Sequence, residues 1–300
     1  MTVETIAILM PGDMGHGCAI AFRKSGFRVI TNLAGRSERT RGLAAKAEIE
    51  DVGSFEEVAL QSDLVLSILP PENALDQAKV FADAMLVAGA ARTYVDCNAI
   101  APATSVRVGE ELQRAGATYI DGGIIGRNPV VENGATRLYV SGPDTSLVRE
   151  LDGRGMRVRD IGSEIGRASG LKMVYASSTK GTFSLHAAVM TTAHSMGLTE
   201  VYLKELAESQ PLMLAAMERM IPLIPLDAAR WEGEMHEIAA TFVSAGVTSK
   251  FHEGAADMMA LANRTPISAE TRETVDTERT LLQALDMYVS ARMAVNDATD

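Results

Sequence analysis

The sequence predicts an α/β fold, a doubly wound parallel sheet followed by an all-helical half. Three observations carry this. Short β-rich runs alternate with helical stretches up to about residue 165. The strand signals then stop, and the rest of the chain reads as helices. A glycine turn, Gly12-Asp13-Met14-Gly15, separates the first strand from the first helix. Strand–helix–strand alternation at this spacing means βαβ units with helices on both faces of a sheet.

Taken in order, Ile6–Leu9 reads as a strand, residues 14–25 as a helix ending at Gly26, and Phe27–Thr31 as the second strand. Helical 55–61 leads to the near-continuous apolar run 64–69, which fits a buried parallel strand. Helical 74–86 precedes a strand at 93–96, and helical 102–115 precedes one at 118–121. Strands at 137–141 and 157–160 close the series. Helices come next at 167–195, 199–208, 210–220, 226–245, 249–262 and 271–297, punctuated by Gly197, Pro211, Pro222, Pro225, Gly246 and Pro266. The expected domains are residues 1–165, a nucleotide-binding unit, and 166–300, a helical unit.

Composition narrows the function. The chain has 300 residues, of which 47% are hydrophobic and 22% charged, enough for a sizeable core. A net charge of -11 argues against tracking nucleic-acid phosphates. Cys18 and Cys97 show no pairing pattern, which fits a reduced cytoplasmic setting. No run approaches membrane-spanning length, and no Cys/His group has metal-ligand spacing. The expectation is a cytoplasmic protein with no membrane, nucleic-acid or metal partner. The methionine-rich helical half, as in Pro211-Leu-Met-Leu-Ala-Ala-Met217, points to a homodimer contact.

A tight turn between strand and helix brings backbone N–H groups to a pyrophosphate at the helix N-terminus. The usual pattern is G-x-G-x-x-G; here the first glycine is Met10, and Gly12 and Gly15 remain. Gly12, Asp13, Met14 and Gly15 are therefore candidate cofactor contacts. A carboxylate ending the second strand would favour NAD by binding its ribose. Here that strand ends in Thr31-Asn32, with Arg36, Ser37 and Arg39 following. Asn32, Arg36 and Ser37 are candidate contacts to a 2′-phosphate, which favours NADP(H) over NAD(H). The alternative for these charges is a solvated loop.

Further segments, taken together with the turn, resemble the β-hydroxyacid dehydrogenase superfamily, which includes 3-hydroxyisobutyrate and 6-phosphogluconate dehydrogenases. They are Met10–Gly15, Ser67-Ile-Leu-Pro-Pro71, Asp96-Cys-Asn-Ala-Ile-Ala-Pro102, Asp121-Gly-Gly-Ile-Ile-Gly126, and Gly166 through Tyr175. The stretch Ala228–Ala240 looks like a poorly characterised 6-phosphogluconate dehydrogenase-like subgroup. The resemblance implies a Rossmann domain, a helical domain and a dimer. It implies that Lys172, the only charge in Gly170–Tyr175, takes the proton from a substrate hydroxyl as hydride leaves. It implies that Leu69 and Pro70 pack near the cofactor, that Asn98 touches substrate and nicotinamide ribose, and that Gly126 lies in the substrate loop. Helical spacing sets Tyr175 and Thr179 on the face of Lys172. Lys180, a quarter-turn away, reads as a structural charge.

This chain departs from the family pattern in ways that bear on substrate. Tyr175 and Ala176 stand where an asparagine is usual, the Ser/Thr pair reads Cys97-Asn98-Ala99, and Ile125 replaces the glycine-loop serine. The sugar-phosphate-binding Arg and His pattern is absent. These departures argue against 6-phosphogluconate and for a less polar or larger substrate, with Arg127 a candidate carboxylate anchor. Arg230, Trp231 and His236 share a helix and read as packing. The expected function is NADP(H)-dependent interconversion of a β-hydroxy acid, or related alcohol, and its carbonyl. The alternatives are oxidation followed by decarboxylation or retro-aldol cleavage, and a non-catalytic NADP(H) sensor. Imine reductases share the architecture but usually lack the lysine.

Overall fold

The computed structural model describes residues 2–130 and 136–296. Its contacts divide the chain into two compact units, Met1–Tyr175 and Ala176–Asp300. The first unit is built on one sheet of order β3-β2-β1-β4-β5-β6-β7-β8. The strands are β1 (Thr5–Ile8), β2 (Arg28–Thr31), β3 (Glu50–Asp51), β4 (Leu64–Ser67), β5 (Thr93–Asp96), β6 (Thr118–Ile125), β7 (Arg137–Ser141) and β8 (Arg157–Asp160). Helices α1 (Asp13–Lys24), α2 (Glu38–Lys46), α3 (Phe55–Gln61), α4 (Ala74–Ala88) and α5 (Pro102–Arg114) connect them.

Side chains alternate across a strand, so each strand feeds two cores. Ile6 and Ile8 of β1 pack with Cys18 and Phe22 of α1. Ala7 and Leu9 pack with Phe81 of α4 and Leu112 of α5. That is the doubly wound arrangement. One pairing departs from the expected parallel sheet, because β7 runs antiparallel to β6. Residues 126–136 are too few for a helical crossover, which takes a dozen or more.

Three further differences have physical causes. Helix α2 and strand β3 fill a stretch for which no element was expected; Ser37 starts α2 by accepting the Thr40 N–H at 3.3 Å. Strand β6 runs on to Ile125, with Gly122–Ile125 paired to β7. The boundary falls ten residues beyond the expected one at 165, because α6 (Arg167–Ala176) is bonded into the sheet unit through Asp121.

The second unit is helical. A π-helical turn, Ser177–Gly181, precedes α7 (Thr182–Ser195), where one unbroken helix was expected. Helices α8 (Thr199–Ser209), α9 (Pro211–Met220), α10 (Ala228–Ser244) and α11 (Lys250–Asn263) come after it. The last, α12 (Leu281–Asn296), begins ten residues later than the helix expected from 271. Thr280 and Gln283 explain the late start. The Gln283 N–H donates to Thr280 Oγ1 at 3.3 Å and the Thr280 N–H to Gln283 Oε1 at 2.8 Å, a capping box.

Candidate functional site

In an open α/β sheet, ligands bind off the carboxyl ends of the strands where the strand order reverses. Here that point lies between β1 and β4. Past β1, the Gly12 N–H closes onto the Met10 carbonyl at 2.9 Å and Gly12 precedes α1 with no side-chain cap. The helix N-terminus is thus left to backbone donors, as a pyrophosphate requires. A Cβ on Gly12 would meet nothing within 4 Å, whereas one on Gly15 would stand 2.5 Å from the Met10 oxygen. Gly15 is needed for close packing of α1 on β1, and Gly12 faces open space. Asp13 is ion-paired with Arg39 at 2.7 Å, and Met14 is half-buried against the core.

At the end of β2 the expected phosphate contacts are engaged within the protein. The Asn32 side chain is buried and accepts the Ala34 N–H at 2.9 Å. Arg36 turns inward and donates to the Leu9 carbonyl at 3.4 Å and Gln77 Oε1 at 3.2 Å. Burial lowers its guanidinium from the ordinary range, and its Nε and the Gln77 Nε2 are buried with no hydrogen-bond partner. These two orphaned donors are spare capacity for an acceptor atom. Ser37 serves as the α2 cap. Arg41 donates to the Leu33 carbonyl at 2.6 Å, which adds a third arginine to Arg36 and Arg39 around this strand end.

Past β4 and β5, one amide ties two loops together. Asn98 is only 1% exposed. Its Oδ1 accepts the Leu69 N–H at 2.6 Å, and its Nδ2 donates to Ser67 Oγ and to Asp96 Oδ2, both at 3.0 Å. The side chain, expected to touch substrate and ribose, clamps the Leu69–Pro70 turn from inside. Its acceptor, Asp96, is buried at 1% exposure. Burial pushes that carboxyl up to about 7, the nearby Asp121 adds to the rise, and the hydrogen bonds from Asn98 oppose it.

Lys172 lies on α6 and donates to the Ile124 carbonyl at 2.5 Å. Asp96 and Asp121 are register partners on parallel β5 and β6, so Ile124 projects past the carboxyl end of β5. Lys172 therefore stands on the same edge of the sheet as Gly12, two strands from β4, or about 10 Å. Gly123 makes the approach possible. A Cβ there would lie 2.8 Å from the Ala168 oxygen and 3.0 Å from Lys172 Cβ. Gly126 comes next in a left-handed conformation, φ 125°, which a side chain would strain. Arg127 is exposed, and Tyr175 is 43% exposed.

Asp121 carries no legible role in the sequence, and the structure gives it one. Its Oδ2 accepts the N–H groups of Gly166 (2.9 Å), Ala168 (2.9 Å) and Ser169 (3.0 Å) and the Ser141 hydroxyl (3.0 Å). Its Oδ1 accepts the hydroxyls of Ser105 at 2.9 Å and of Ser169.

In the helical unit, Thr179 sits in the π turn and donates to the Ala176 carbonyl at 3.3 Å. The α-helical spacing that aligned it with Lys172 does not hold through that turn. Lys180 is half-buried in an ion pair with the buried Glu234, over the Trp231 ring at 5.3 Å. Arg230 pairs with Glu234 and with Asp227, and His236 is exposed. Among the described residues no group of His, Cys, Asp and Glu could hold a metal ion, and no helix is long and apolar enough to cross a membrane.

The family described as the NAD binding domain of 6-phosphogluconate dehydrogenase matches residues 5–151 of this chain. A domain of unknown function (DUF1932) matches residues 193–261. An uncharacterised 28.5 kDa protein in the 7S RNA 5′ region of Methanothermus fervidus is 30% identical over 189 residues, 63% of this chain and 71% of that protein. A conserved protein of unknown function, whose structure shows similarity with 3-hydroxyacid dehydrogenases, is 25% identical with TM-score 0.61, over 86% of this chain and 98% of that one. A 3-hydroxyisobutyrate dehydrogenase from Salmonella typhimurium shares the fold with TM-score 0.66 at 16% identity, over 94% and 98% of the two chains.

Proposed function

From the premise that this chain belongs to the β-hydroxyacid dehydrogenase superfamily and is an NAD(P)-dependent dehydrogenase or reductase, we propose that it interconverts a β-hydroxy acid, or a related alcohol, and its carbonyl with NADP(H), using Lys172 as general acid and base. The observation that carries this reading is the Lys172 ammonium held on the Ile124 carbonyl at 2.5 Å, on the sheet edge that also bears the uncapped α1 N-terminus.

The residues fit the cofactor. The α1 N-terminus and the open face of Gly12 would take the pyrophosphate, and the Leu69–Pro70 turn, clamped by Asn98, would back the nicotinamide end. The Arg36 Nε and its neighbouring arginines would take a 2′-phosphate, and no carboxylate ends β2 to favour the unphosphorylated ribose. The cofactor supplies the hydride acceptor or donor. The protein handles the proton. An ammonium carries three N–H donors, so one group can hold the Ile124 carbonyl and a substrate oxygen together. On oxidation the substrate hydroxyl proton passes to neutral Lys172 Nζ; on reduction the ammonium returns it. Arg127, beyond Gly126, would hold a carboxylate, and Tyr175, one turn from Lys172, would present an aromatic wall. Such a lining suits a less polar or larger acid. A 3-oxo acid formed this way is prone to lose CO₂, so decarboxylation after oxidation belongs to the same reading. The buried free thiols of Cys18 and Cys97 fit a reduced cytoplasmic setting.

The test is Lys172→Ala. A positioned acid–base group contributes roughly 10²–10⁴ in rate. Turnover of a panel of β-hydroxy acids with NADP⁺, followed at the NADPH absorbance, should fall by that factor while NADPH affinity holds. A variant as active as the parent would refute the assignment.

A further inference from the structure

The strand that holds Lys172 also holds the helix it stands on, and one carboxylate does the second task. Asp121 and Ile124 are three residues apart on β6, about 10 Å. The Asp121 carboxylate accepts the first-turn N–H groups of α6 from Gly166, Ala168 and Ser169, which is an N-cap supplied by another element. Four residues beyond Ala168, Lys172 reaches back to the Ile124 carbonyl. Between the two anchors lie Gly122 and Gly123. A Cβ on Gly122 would stand 2.6 Å from the Asp96 backbone oxygen on β5, and one on Gly123 2.8 Å from the Ala168 backbone oxygen on α6. At Gly123 no side chain separates helix from strand, so an error at the cap passes directly to the lysine.

The carboxylate is itself fixed. Ser141 Oγ donates to Oδ2 and accepts the Ala168 N–H at 3.1 Å. Ser105 and Ser169 hydroxyls bind Oδ1, and Ser105 also meets the Tyr119 hydroxyl at 2.8 Å. These donors come from α5, β7 and α6. Such a fully satisfied buried network is rigid. A helix cap needs one or two acceptor contacts; six donors on one buried carboxylate fix the helix in rotation and along its axis.

We propose that Asp121 is a positioning residue for Lys172: its capped helix and the Ile124 carbonyl form a two-point ruler along β6 that sets where the amine stands. The proposal rests on the reading of Lys172 as the proton-transfer group only for its catalytic consequence, since the placement itself is measurable without a substrate. The probe is acetylation of the folded chain by a water-soluble N-hydroxysuccinimide ester, with each lysine quantified by peptide mass spectrometry. Asp121→Asn keeps the size but changes the charge and the acceptor set. Lys172 should then acetylate roughly tenfold faster, the change expected from losing one hydrogen bond to a charged group. Exposed Lys79 should react as before, and melting should still be cooperative. Ser141→Ala, a smaller lesion in the same network, should give an increase in the same direction if Asp121→Asn does not fold. A folded variant of either kind with Lys172 acetylating at the parental rate overturns the proposal. The two readings fail separately. Full activity of Lys172→Ala removes the acid–base role and leaves the ruler, whereas unchanged acetylation removes the ruler and leaves the acid–base role.

Discussion

Asp96 shows how one side chain couples pH to the geometry of the sheet edge. Its Oδ1 accepts the Asn98 N–H at 2.8 Å and its Oδ2 the Asn98 amide, and Asn98 in turn holds the Leu69 turn. Burial raises its pKa from 3.8 to about 7 in the fold. Between those values the native state therefore binds more protons than the unfolded state, so its contribution to stability falls as pH rises. The penalty is absent below the unfolded value, grows through about pH 4–7, and is complete above the folded value. It amounts to about 4 kcal/mol by the linkage constant, as an order of magnitude. Asp96→Asn removes the titration. The stability of the parent minus that of the variant, from urea unfolding, should therefore decline between about pH 4 and pH 7, and a constant difference would refute the coupling. Legibility in the sequence divides at this scale. Lys172 stands out as a lone charge in an apolar helix. Asp121 does not, because its donors come from residues 105, 141 and 166–169 and meet only in the fold. The clamp that Asn98 places on the Leu69 turn was not legible either, because sequence does not show which way an amide faces.

At the scale of elements, two glycines have opposite duties. Gly123 permits contact between β6 and α6, and Gly12 leaves room at the end of β1. Gly123→Ala should cost about 1–3 kcal/mol as an overpacked contact, read by thermal melting, and should lower turnover by displacing Lys172. Gly12→Ala should leave melting of the ligand-free protein nearly unchanged and weaken NADPH binding, read by fluorescence titration, because the added methyl enters the space that a pyrophosphate needs. Equal effects of the two on stability would contradict the geometry. Several strands were legible to the residue: 93–96, 137–141 and 157–160 appear with the expected limits. What escaped had weak local signals. Helix α2 buries only Leu43 and Ala44, so it has little apolar stripe to read. The β6–β7 pair is antiparallel through the shortness of its connection, not through its composition. The π turn at Ser177–Gly181 leaves no mark on residue periodicity long enough to detect.

For the whole molecule, the two units are proposed to meet different partners. A ligand that binds only the native state stabilises by about 2.7 kcal/mol at a hundred times its Kd. NADPH should stabilise the sheet unit by that amount in calorimetry, and no shift of its melting transition would remove the nucleotide site. For the helical unit we propose a second copy of the chain as partner. Its helices α7, α8 and α9 pack on one another yet leave Leu185, Val201 and Leu212 exposed, Leu212 at 88%, and Phe251 on α11 is exposed at 77%. Side chains of this size carry about 1.5–3 kcal/mol each when buried, so leaving them in water is costly unless they meet a partner. A self-complementary contact through this unit predicts a mass near 64 kDa by light scattering, twice the 32.0 kDa chain. Leu212→Asp or Phe251→Asp should drive the mass toward that of one chain while Lys172 and the sheet unit, in the other half of the molecule, keep their NADPH affinity. A single-chain mass for the parent protein would instead leave these side chains to some other partner, and the dimer reading would be abandoned.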